Sequence, residues 1–130
     1  MEKLTFDLAN NSTRYFIAYF DSKPIGLLKV NLHKILPNAS QDYGLELEKI
    51  YLLKEFAGKG FGETLLQFVM ELARKNSEEI VWLDVLKTNT KAKSFYERYG
   101  FIVIGQLDFS TDKVKPDMWV MKCDLSAKLL

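Results

Sequence analysis

Cysteine, histidine and an excess of charge of either sign are largely missing from this 130-residue sequence. The single cysteine, Cys123, cannot form a disulfide within the chain, so the sequence favours a reducing, cytoplasmic location. Eighteen Lys and Arg residues oppose seventeen Asp and Glu residues, and the net charge of +1 lacks the excess that is typical of nucleic-acid-binding proteins. No apolar run approaches the roughly 20 residues of a membrane-spanning helix. We therefore expect neither nucleic acid nor a membrane as a partner.

The remaining composition is that of one soluble domain. Hydrophobic residues make up 48% of the sequence and charged residues 27%, a balance that excludes a disordered tail. A chain of 130 residues can bury one hydrophobic core but is short for two. Its first residues include Glu2, Lys3 and Asp7 in place of the apolar core of a secretory signal. We predict a single domain over residues 1–130.

Six runs of apolar and β-branched residues predict strands, and two runs at helical spacing predict helices. The predicted strands cover residues 15–20, 25–32, 45–53, 80–86, 101–109 and 118–125, and residues 36–44 are predicted to form a loop. The apolar positions of the first helix are Leu65, Leu66, Val69, Leu72 and Ala73. Those of the second helix are Ala92, Phe95, Tyr96 and Tyr99, and Gly100 is its expected C-terminal cap.

The order of these elements predicts the fold class. Three strands, a helix, a strand, a second helix and two final strands make an α/β (α+β) domain in which helices pack on one mixed sheet. Strand 45–53, the first helix and strand 80–86 form a β-α-β unit, and its right-handed crossover makes the two strands parallel. We therefore expect a mixed, mostly antiparallel sheet with a central parallel pair.

A glycine-rich loop separates strand 45–53 from the first helix. Gly58, Gly60 and Gly62 alternate there, and their lack of side chains lets an anion approach the backbone. The N–H groups of the first helical turn favour a phosphate or a pyrophosphate at such a place. A turn that only needs positive φ angles would use the same glycines. The spacing fits neither a P-loop nor a dinucleotide-binding Rossmann loop.

Two blocks of the sequence resemble the GNAT acetyltransferases. The loop is similar to the family's acetyl-CoA signature Gln/Arg-x-x-Gly-x-Gly/Ala, with Gly60 and Gly62 at the two small positions and Ala57 where Gln or Arg is usual. Residues 89–101 resemble the family's Asn-x-x-Ala-x-x-x-Tyr-x-x-x-Gly-Phe. The resemblance implies the GNAT fold and the transfer of an acetyl group from acetyl-CoA to a primary amine.

The resemblance also implies which residues contact acetyl-CoA. The backbone of the loop is expected to hold the pyrophosphate, and the strand before it is expected to pair with the pantetheine arm as an added strand would. Asn89 is expected either to contact the ligand or to cap the second helix. The expected cofactor-binding residues are Ile50, Tyr51, Leu52, Gly58, Lys59, Gly60, Phe61, Gly62, Glu63 and Asn89. We predict no metal ion in the site.

Tyr96 occupies the position at which the family usually carries a tyrosine close to the thioester sulfur. A phenol can donate to a thiolate leaving group, although a buried aromatic ring is the alternative role. The acceptor ammonium must lose a proton before it attacks. The candidate bases are Glu46, Glu48 and Asp84, with Glu46 first, and a water relay is the alternative. Glu48 shares the strand face of Glu46, and His33, at a strand end, is expected at the surface.

The expected acceptor is a polyamine or another small amine. Residues 45–62 and the hairpin before them resemble bacterial polyamine acetyltransferases of the Pai type, and the acids Asp42, Glu46 and Glu48 could attract a polycation. The N-terminus of a ribosomal protein or peptide is the second candidate acceptor. A non-catalytic acetyl-CoA-binding module and an oligomerising structural domain are the alternatives to an enzyme.

The amino terminus is shorter than the resemblance implies. Most members of the family begin with a strand and one or two helices, and here residues 1–12, with a weak pattern, precede the hairpin. An unpaired edge at residues 15–20, rich in Tyr and Phe, would favour association, while Lys115, Pro116 and Asp117 would protect the opposite edge. We therefore predict a homodimer or higher oligomer, unless residues 1–12 cover the first edge.

Overall fold

One mixed sheet forms the frame of the domain. The computed structural model describes residues 2–7, 12–37, 41–106 and 117–125. In these ranges the strands are β1 (Glu2–Asp7), β2 (Thr13–Phe20), β3 (Lys23–Ile35), β4 (Tyr43–Leu52), β5 (Ile80–Leu86), β6 (Ile102–Gln106) and β7 (Met118–Asp124), and the helices are α1 (Phe61–Lys75) and α2 (Thr90–Arg98). The sheet order is β1-β2-β3-β4-β5-β7-β6, and all neighbours are antiparallel except β4 and β5. The predicted mixed sheet with a central parallel pair is confirmed.

The ends of β3 and β4 differ from the prediction. β3 continues three residues beyond its predicted end at residue 32, and β4 begins at residue 43, inside the predicted loop. The extension follows an irregularity, because the β3–β4 register shifts between Asn31 and Lys34, where His33 has a φ angle of 51°. Such a bulge absorbs extra residues and lets two strands continue to pair. Residues 107–109 of the predicted strand 101–109 lie outside the described residues.

β1 covers the edge of the sheet that was expected to be unpaired. Residues 2–7 pair antiparallel with β2 along their whole length. The prediction of an unpaired edge at residues 15–20 is therefore wrong, because this extended segment supplies the missing backbone hydrogen-bond partners. The edge strands of the described sheet are β1 and β6. Lys115 and Pro116, which were expected to protect the opposite edge, lie outside the described residues.

The two faces of the sheet differ in what covers them. α1 and α2, neither of which is long and apolar enough to cross a membrane, pack on one face over the main core. Residues 81, 83 and 85 of β5 belong to that core, and Trp82 and Asp84 alternate with them and lie on the other face. There Trp82 packs with Leu36, Ile80 and Val120. We call this second face, which carries Thr13, Lys29, Asn31, Glu46, Glu48 and Asp84, the polar face.

β4 and β5 pair over two residues and then separate. The two register pairs lie at Leu45 and Glu46 of β4, whereas β4 stays paired with β3 as far as Leu52. The two strands therefore diverge beyond Glu46 and leave a gap in the sheet. Glu48 is an extra residue in β4, because the β3–β4 register shifts at this point.

Glu78 supports the bulge of β3 from the connection between α1 and β5. Its side chain is 4% exposed and accepts the backbone N–H of His33 at 2.6 Å. We expect Glu78→Ala to lower the free energy of unfolding by about 1–3 kcal/mol, because this N–H loses its acceptor. Urea denaturation measures the loss. As a control, Glu71→Ala removes only an exposed ion pair with Arg74 and should cost less than about 0.5 kcal/mol, so equal losses would contradict the role of Glu78.

Candidate active site

The glycine-rich loop has a backbone geometry that glycine adopts more readily than other residues. Gly58 and Gly60 have φ angles of 74° and 88°, and Gly60 is the N-cap of α1. A Cβ atom on either glycine would meet no atom of the described residues within 4 Å, so both face open space in this part of the chain. Among the described residues no side chain caps α1, and its first N–H groups lack partners within the helix. The loop thus combines a turn that needs positive φ with an exposed backbone suited to an anion.

A cavity of about 840 Å³ lies between this loop and α2. The predicted site residues that line it are Leu52, Gly58, Gly60, Gly62, Glu63, Asn89 and Tyr96. The lining is completed by Ala57, Thr90, Lys91, Ala92, Ser94, Phe95, Arg98 and Tyr99. Exposed N–H groups on one side and the basic side chains of Lys91 and Arg98 on the other suit a large ligand that carries phosphate groups.

Four predicted cofactor-binding residues do not line the cavity. Ile50 packs against the main core, and the Tyr51 side chain is 57% exposed. Lys59 is exposed, and the ring of Phe61 lies edge-on to that of Phe20 with centroids 5.1 Å apart. The contacts expected between this strand and loop and acetyl-CoA are main-chain contacts, so they do not depend on where these side chains lie. These four assignments stay predictions.

Tyr96 lies on α2 with its ring against the core. The residue is 8% exposed, and its ring meets those of Phe95 and Phe101 at centroid distances of 5.3 and 5.5 Å. Burial raises the pKa of the Tyr96 hydroxyl to about 12, so the group stays a neutral hydrogen-bond donor at neutral pH. Tyr96 is therefore both a packed aromatic residue and a donor that borders the cavity.

Asn89 caps α2. Its side chain accepts the backbone N–H of Ala92 at 3.1 Å, which confirms the capping role. Asn89 also lines the cavity, and the cap uses only the oxygen of its amide. A contact between the amide nitrogen and a ligand is compatible with the cap. Gly100, with a φ angle of 97°, ends the same helix and confirms the predicted C-terminal signal.

On the polar face, Asn31 joins the two glutamates of β4. Its amide nitrogen donates to Glu46 at 2.9 Å and to Glu48 at 2.8 Å, and its oxygen accepts from Thr13 at 2.7 Å. Lys29 donates to Glu48 at 3.0 Å. We call these five residues the carboxylate cluster. Strand register places Thr13, Asn31 and Glu46 side by side on β2, β3 and β4, so the cluster spans three strands.

The carboxyl of Glu46 lies within electrostatic range of that of Asp84. Burial raises the pKa of the Glu46 carboxyl above its ordinary value, and the charges of Glu48 and Asp84 add to the rise. The hydrogen bond from Asn31 and the charge of Lys34 oppose it without reversing it. The influence of Asp84 places the acids of β4 and β5 within electrostatic range of each other, beside the gap between the strands. A raised pKa suits a carboxylate that accepts a proton near neutral pH.

The predicted base and the predicted donor lie on opposite faces of the sheet. Glu46 and Asp84 lie on the polar face, whereas Tyr96 borders the cavity on the side of the helices. Between these faces β4 and β5 are paired at Leu45 and Glu46 and are not paired beyond them.

Asn31 and the basic residues of α2 were missed in the sequence. Asn31 is 6% exposed and interrupts the apolar run 25–32, and a polar residue in such a run signals a buried hydrogen-bonded group. Lys91 and Arg98 are charged positions on a helix, which carry no local signal of a ligand. His33, with a side chain that is 75% exposed, lies at the surface as predicted.

Comparison with known proteins identifies the family of the chain. A sequence model of the acetyltransferase (GNAT) family matches residues 1–101. The chain is 32% identical over 99 residues to an uncharacterized N-acetyltransferase in the pepI 3' region of Lactobacillus delbrueckii subsp. lactis, across 76% of this chain and 57% of that protein. It is 25% identical over 97 residues to the spermine/spermidine N(1)-acetyltransferase of Bacillus subtilis (strain 168), across 74% and 64%. The chain thus spans less than two thirds of the length of these relatives.

A solved structure shares the fold. The GNAT family acetyltransferase from Elizabethkingia anophelis, with acetyl-CoA bound, matches with a TM-score of 0.75 over 88% of this chain and 77% of that chain. Its sequence is 18% identical, so this likeness concerns the fold. The family model covers both the glycine-rich loop and the block from Asn89 to Phe101. This chain therefore belongs to the acetyltransferase (GNAT) family, as its two sequence blocks predicted.

Proposed function

We propose that this chain is an N-acetyltransferase that transfers the acetyl group of acetyl-CoA directly to a primary amine. The observation that carries the proposal is the cavity between the glycine-rich loop and α2, which Tyr96 borders. Family membership and the two relatives named as N-acetyltransferases support it. Direct transfer requires no cysteine nucleophile, and Cys123 is buried in the core.

The residues of the cavity fit acetyl-CoA by their chemistry. A pyrophosphate needs an anion site, which the N–H groups of the loop and of the start of α1 offer. Lys91 and Arg98 supply positive charge for phosphate groups from α2. The amides of a pantetheine arm need main-chain partners, and β4 offers its backbone beyond Glu46, where it has separated from β5.

Different side chains around the gap have different tasks in the transfer of the acetyl group. Acetyl-CoA, when bound, supplies the acetyl group as a thioester. Glu46 accepts the proton that the acceptor ammonium must lose, and Asp84 is the alternative base. Tyr96 donates a hydrogen bond to the sulfur that leaves. Burial favours both tasks, because it raises the pKa of Glu46 and keeps the Tyr96 hydroxyl protonated.

A polyamine or another small amine is the acceptor that we propose. The relative from Bacillus subtilis is named for spermine and spermidine. The polar face presents the carboxyl groups of Glu46, Glu48 and Asp84 near one another, which favours a ligand with several positive charges. A peptide N-terminus, the second candidate, brings one ammonium group and gains less from such a cluster.

A panel of amines tests the proposed function. The protein is incubated with acetyl-CoA and, separately, with spermidine, spermine, a monoamine and a peptide with a free N-terminus, and the thiol of free CoA is followed. We expect thiol release to be fastest with the polyamines. If thiol release is fastest with the peptide, the acceptor is instead a protein or peptide N-terminus. Acetyl-CoA binding without amine-dependent release would instead support the non-catalytic module.

Removal of the Glu46 carboxylate should show whether Glu46 or Asp84 is the base. We expect Glu46→Gln to lower kcat/KM by about 100-fold or more, because the variant lacks the proton acceptor. In the wild type, kcat/KM should fall as pH drops through the raised pKa of Glu46. Asp84→Asn removes a charge that raises this pKa, so the acid limb should move to lower pH while activity persists. Loss of the limb in Asp84→Asn would make Asp84 the base.

The cytoplasmic location and the homo-oligomer stay predictions. Because β1 pairs with β2, the edge at residues 15–20 no longer gives a reason for association. The outer edges of β1 and β6 are the remaining candidate surfaces among the described strands, and Ile102 of β6 is 58% exposed. Sedimentation at micromolar concentration measures the oligomeric state directly.

A further inference from the structure

Asn31 lies at the centre of the carboxylate cluster, between the two acids of β4. We propose that Asn31 is a positioning residue that gives these acids different tasks: Glu46 takes a proton from the acceptor ammonium, and Glu48 stays an anion that binds the ammonium. The inference rests on the proposed function, because it requires a cationic amine as the acceptor.

The amide of Asn31 is held in one orientation by its partners. The oxygen accepts from the Thr13 hydroxyl at 2.7 Å, and the nitrogen donates to Glu46 and Glu48 at 2.9 and 2.8 Å. Carboxylates only accept, so the two N–H bonds must face them. Asn31 is 6% exposed, and water therefore replaces these bonds less readily than it would at the surface. One buried amide thus bridges both acids.

Glu48 lies nearer to solvent than Glu46. The exposed fraction of the side chain is 34% for Glu48 and 13% for Glu46. For a cation that approaches the polar face, the Glu48 carboxylate is therefore more accessible than that of Glu46. An ammonium has three N–H donors, so it can hold one carboxylate while it gives a proton to another. The exposures match the order of the two proposed tasks.

The surrounding charges separate the two acids further. Burial acts to raise the pKa of Glu48, but hydrogen bonds from Asn31 and Lys29 outweigh it, and the pKa lies below its ordinary value. The pKa of Glu46 is raised, chiefly by burial. Among the described residues, Lys34 on β3, Lys49 on β4 and Asp84 on β5 are further charged groups that act on this pair. Neighbouring acids whose pKa values move in opposite directions are suited to different roles.

The proposed reaction moves two protons and two electron pairs. A proton leaves the ammonium nitrogen and makes Glu46 a neutral acid. The nitrogen lone pair then forms a bond to the thioester carbonyl carbon, and the pair of the carbon–sulfur bond leaves with sulfur. The second proton that the nitrogen must lose to become an amide goes to the thiolate, which leaves as the free thiol. Without Asn31, both acids would lose a donor, and their charges would act on each other without the bridging amide. Glu46 and Glu48 would then hold their protons to higher pH.

Carboxyl titration tests the positioning role without acetyl-CoA. Carbon-13 signals of labelled glutamates, assigned with Glu46→Gln and Glu48→Gln, give the two protonation midpoints by NMR. We expect the Glu46 midpoint to lie above that of Glu48, and Asn31→Ala to move both to higher pH. Asn31→Ser keeps one donor, should give intermediate midpoints, and serves if the alanine variant does not fold. Midpoints that stay in place would overturn the inference.

The pH profile of kcat/KM with spermidine separates this inference from the proposed function. Asn31→Ala should lower kcat/KM at neutral pH by about 10-fold or more and move the acid limb upward with the Glu46 midpoint. Asn76→Ala, which removes an amide hydrogen bond to the Leu72 carbonyl at the end of α1, controls for lost stability and should leave the limb in place. An unmoved limb in Asn31→Ala would overturn the inference alone. Wild-type protein that acetylates no amine would overturn the proposed function and the inference together.

Discussion

Replacement of Gly60 by valine is expected to weaken acetyl-CoA binding by about 100-fold or more. Gly60 has a φ angle of 88°, which a β-branched residue reaches only with strain of about 1–3 kcal/mol. The new side chain would enter the open space at the start of α1, where we propose that the pyrophosphate binds. It would occupy the place of the anion, and relief of the strain would shift the first N–H groups of the helix.

Isothermal titration calorimetry with acetyl-CoA measures this loss, and circular dichroism checks that the variant is folded. Gly105→Val in β6 is the matched control, because a Cβ there also meets no atom within 4 Å and the φ angle is outside the left-handed region. The control should bind acetyl-CoA as the wild type does. If Gly60→Val and Gly105→Val bind acetyl-CoA with equal affinity, the glycine-rich loop is not part of the cofactor site.

Tyr96→Phe is expected to lower kcat by about 100-fold while the affinity for acetyl-CoA changes little. The variant keeps the ring that packs against Phe95 and Phe101 and loses only the hydroxyl. With a pKa of about 12, this hydroxyl is a weaker acid than an ordinary thiol, whose pKa is about 8.5. It should therefore stabilise the leaving thiolate by a hydrogen bond and keep its own proton.

Single-turnover rates and calorimetry on Tyr96→Phe separate chemistry from binding. Tyr43→Phe is the control, because it removes the hydroxyl of a tyrosine that is 47% exposed and stacked on His33, away from the cavity. Its rate should stay within a few-fold of the wild type. If Tyr96→Phe behaves in the same way, Tyr96 has only a packing role.

The middle of the chain could be predicted because its signals are local. The glycine-rich loop, the apolar spacing of α1 and the stop at Gly100 each lie within a few residues, and the structure has them where the sequence placed them. The family signature then linked the loop to the Asn89–Phe101 block without any three-dimensional information. Most cavity-lining predictions followed from these two blocks.

The errors arose where structure depends on distant residues. β1 is a short edge strand whose six residues are ordered by pairing with β2, and such pairing leaves little local pattern. The longer β3 depends on a bulge at His33, whose left-handed φ angle no sequence rule requires of a histidine. The carboxylate cluster needs Thr13, Asn31 and Glu46 in register on three strands, which only the assembled sheet provides.

The narrow junction between β4 and β5 has a consequence for the rigidity of the sheet. Two register pairs join the β1–β4 part to the β5–β7–β6 part, so few backbone bonds oppose a small rotation of one part against the other. The apolar core that both parts share is closely packed, but its hydrophobic contacts have no preferred direction and oppose such a rotation less than hydrogen bonds would. A ligand that adds main-chain bonds along β4 in the gap would stiffen the joint, slow amide exchange in both strands and make the halves unfold as one unit.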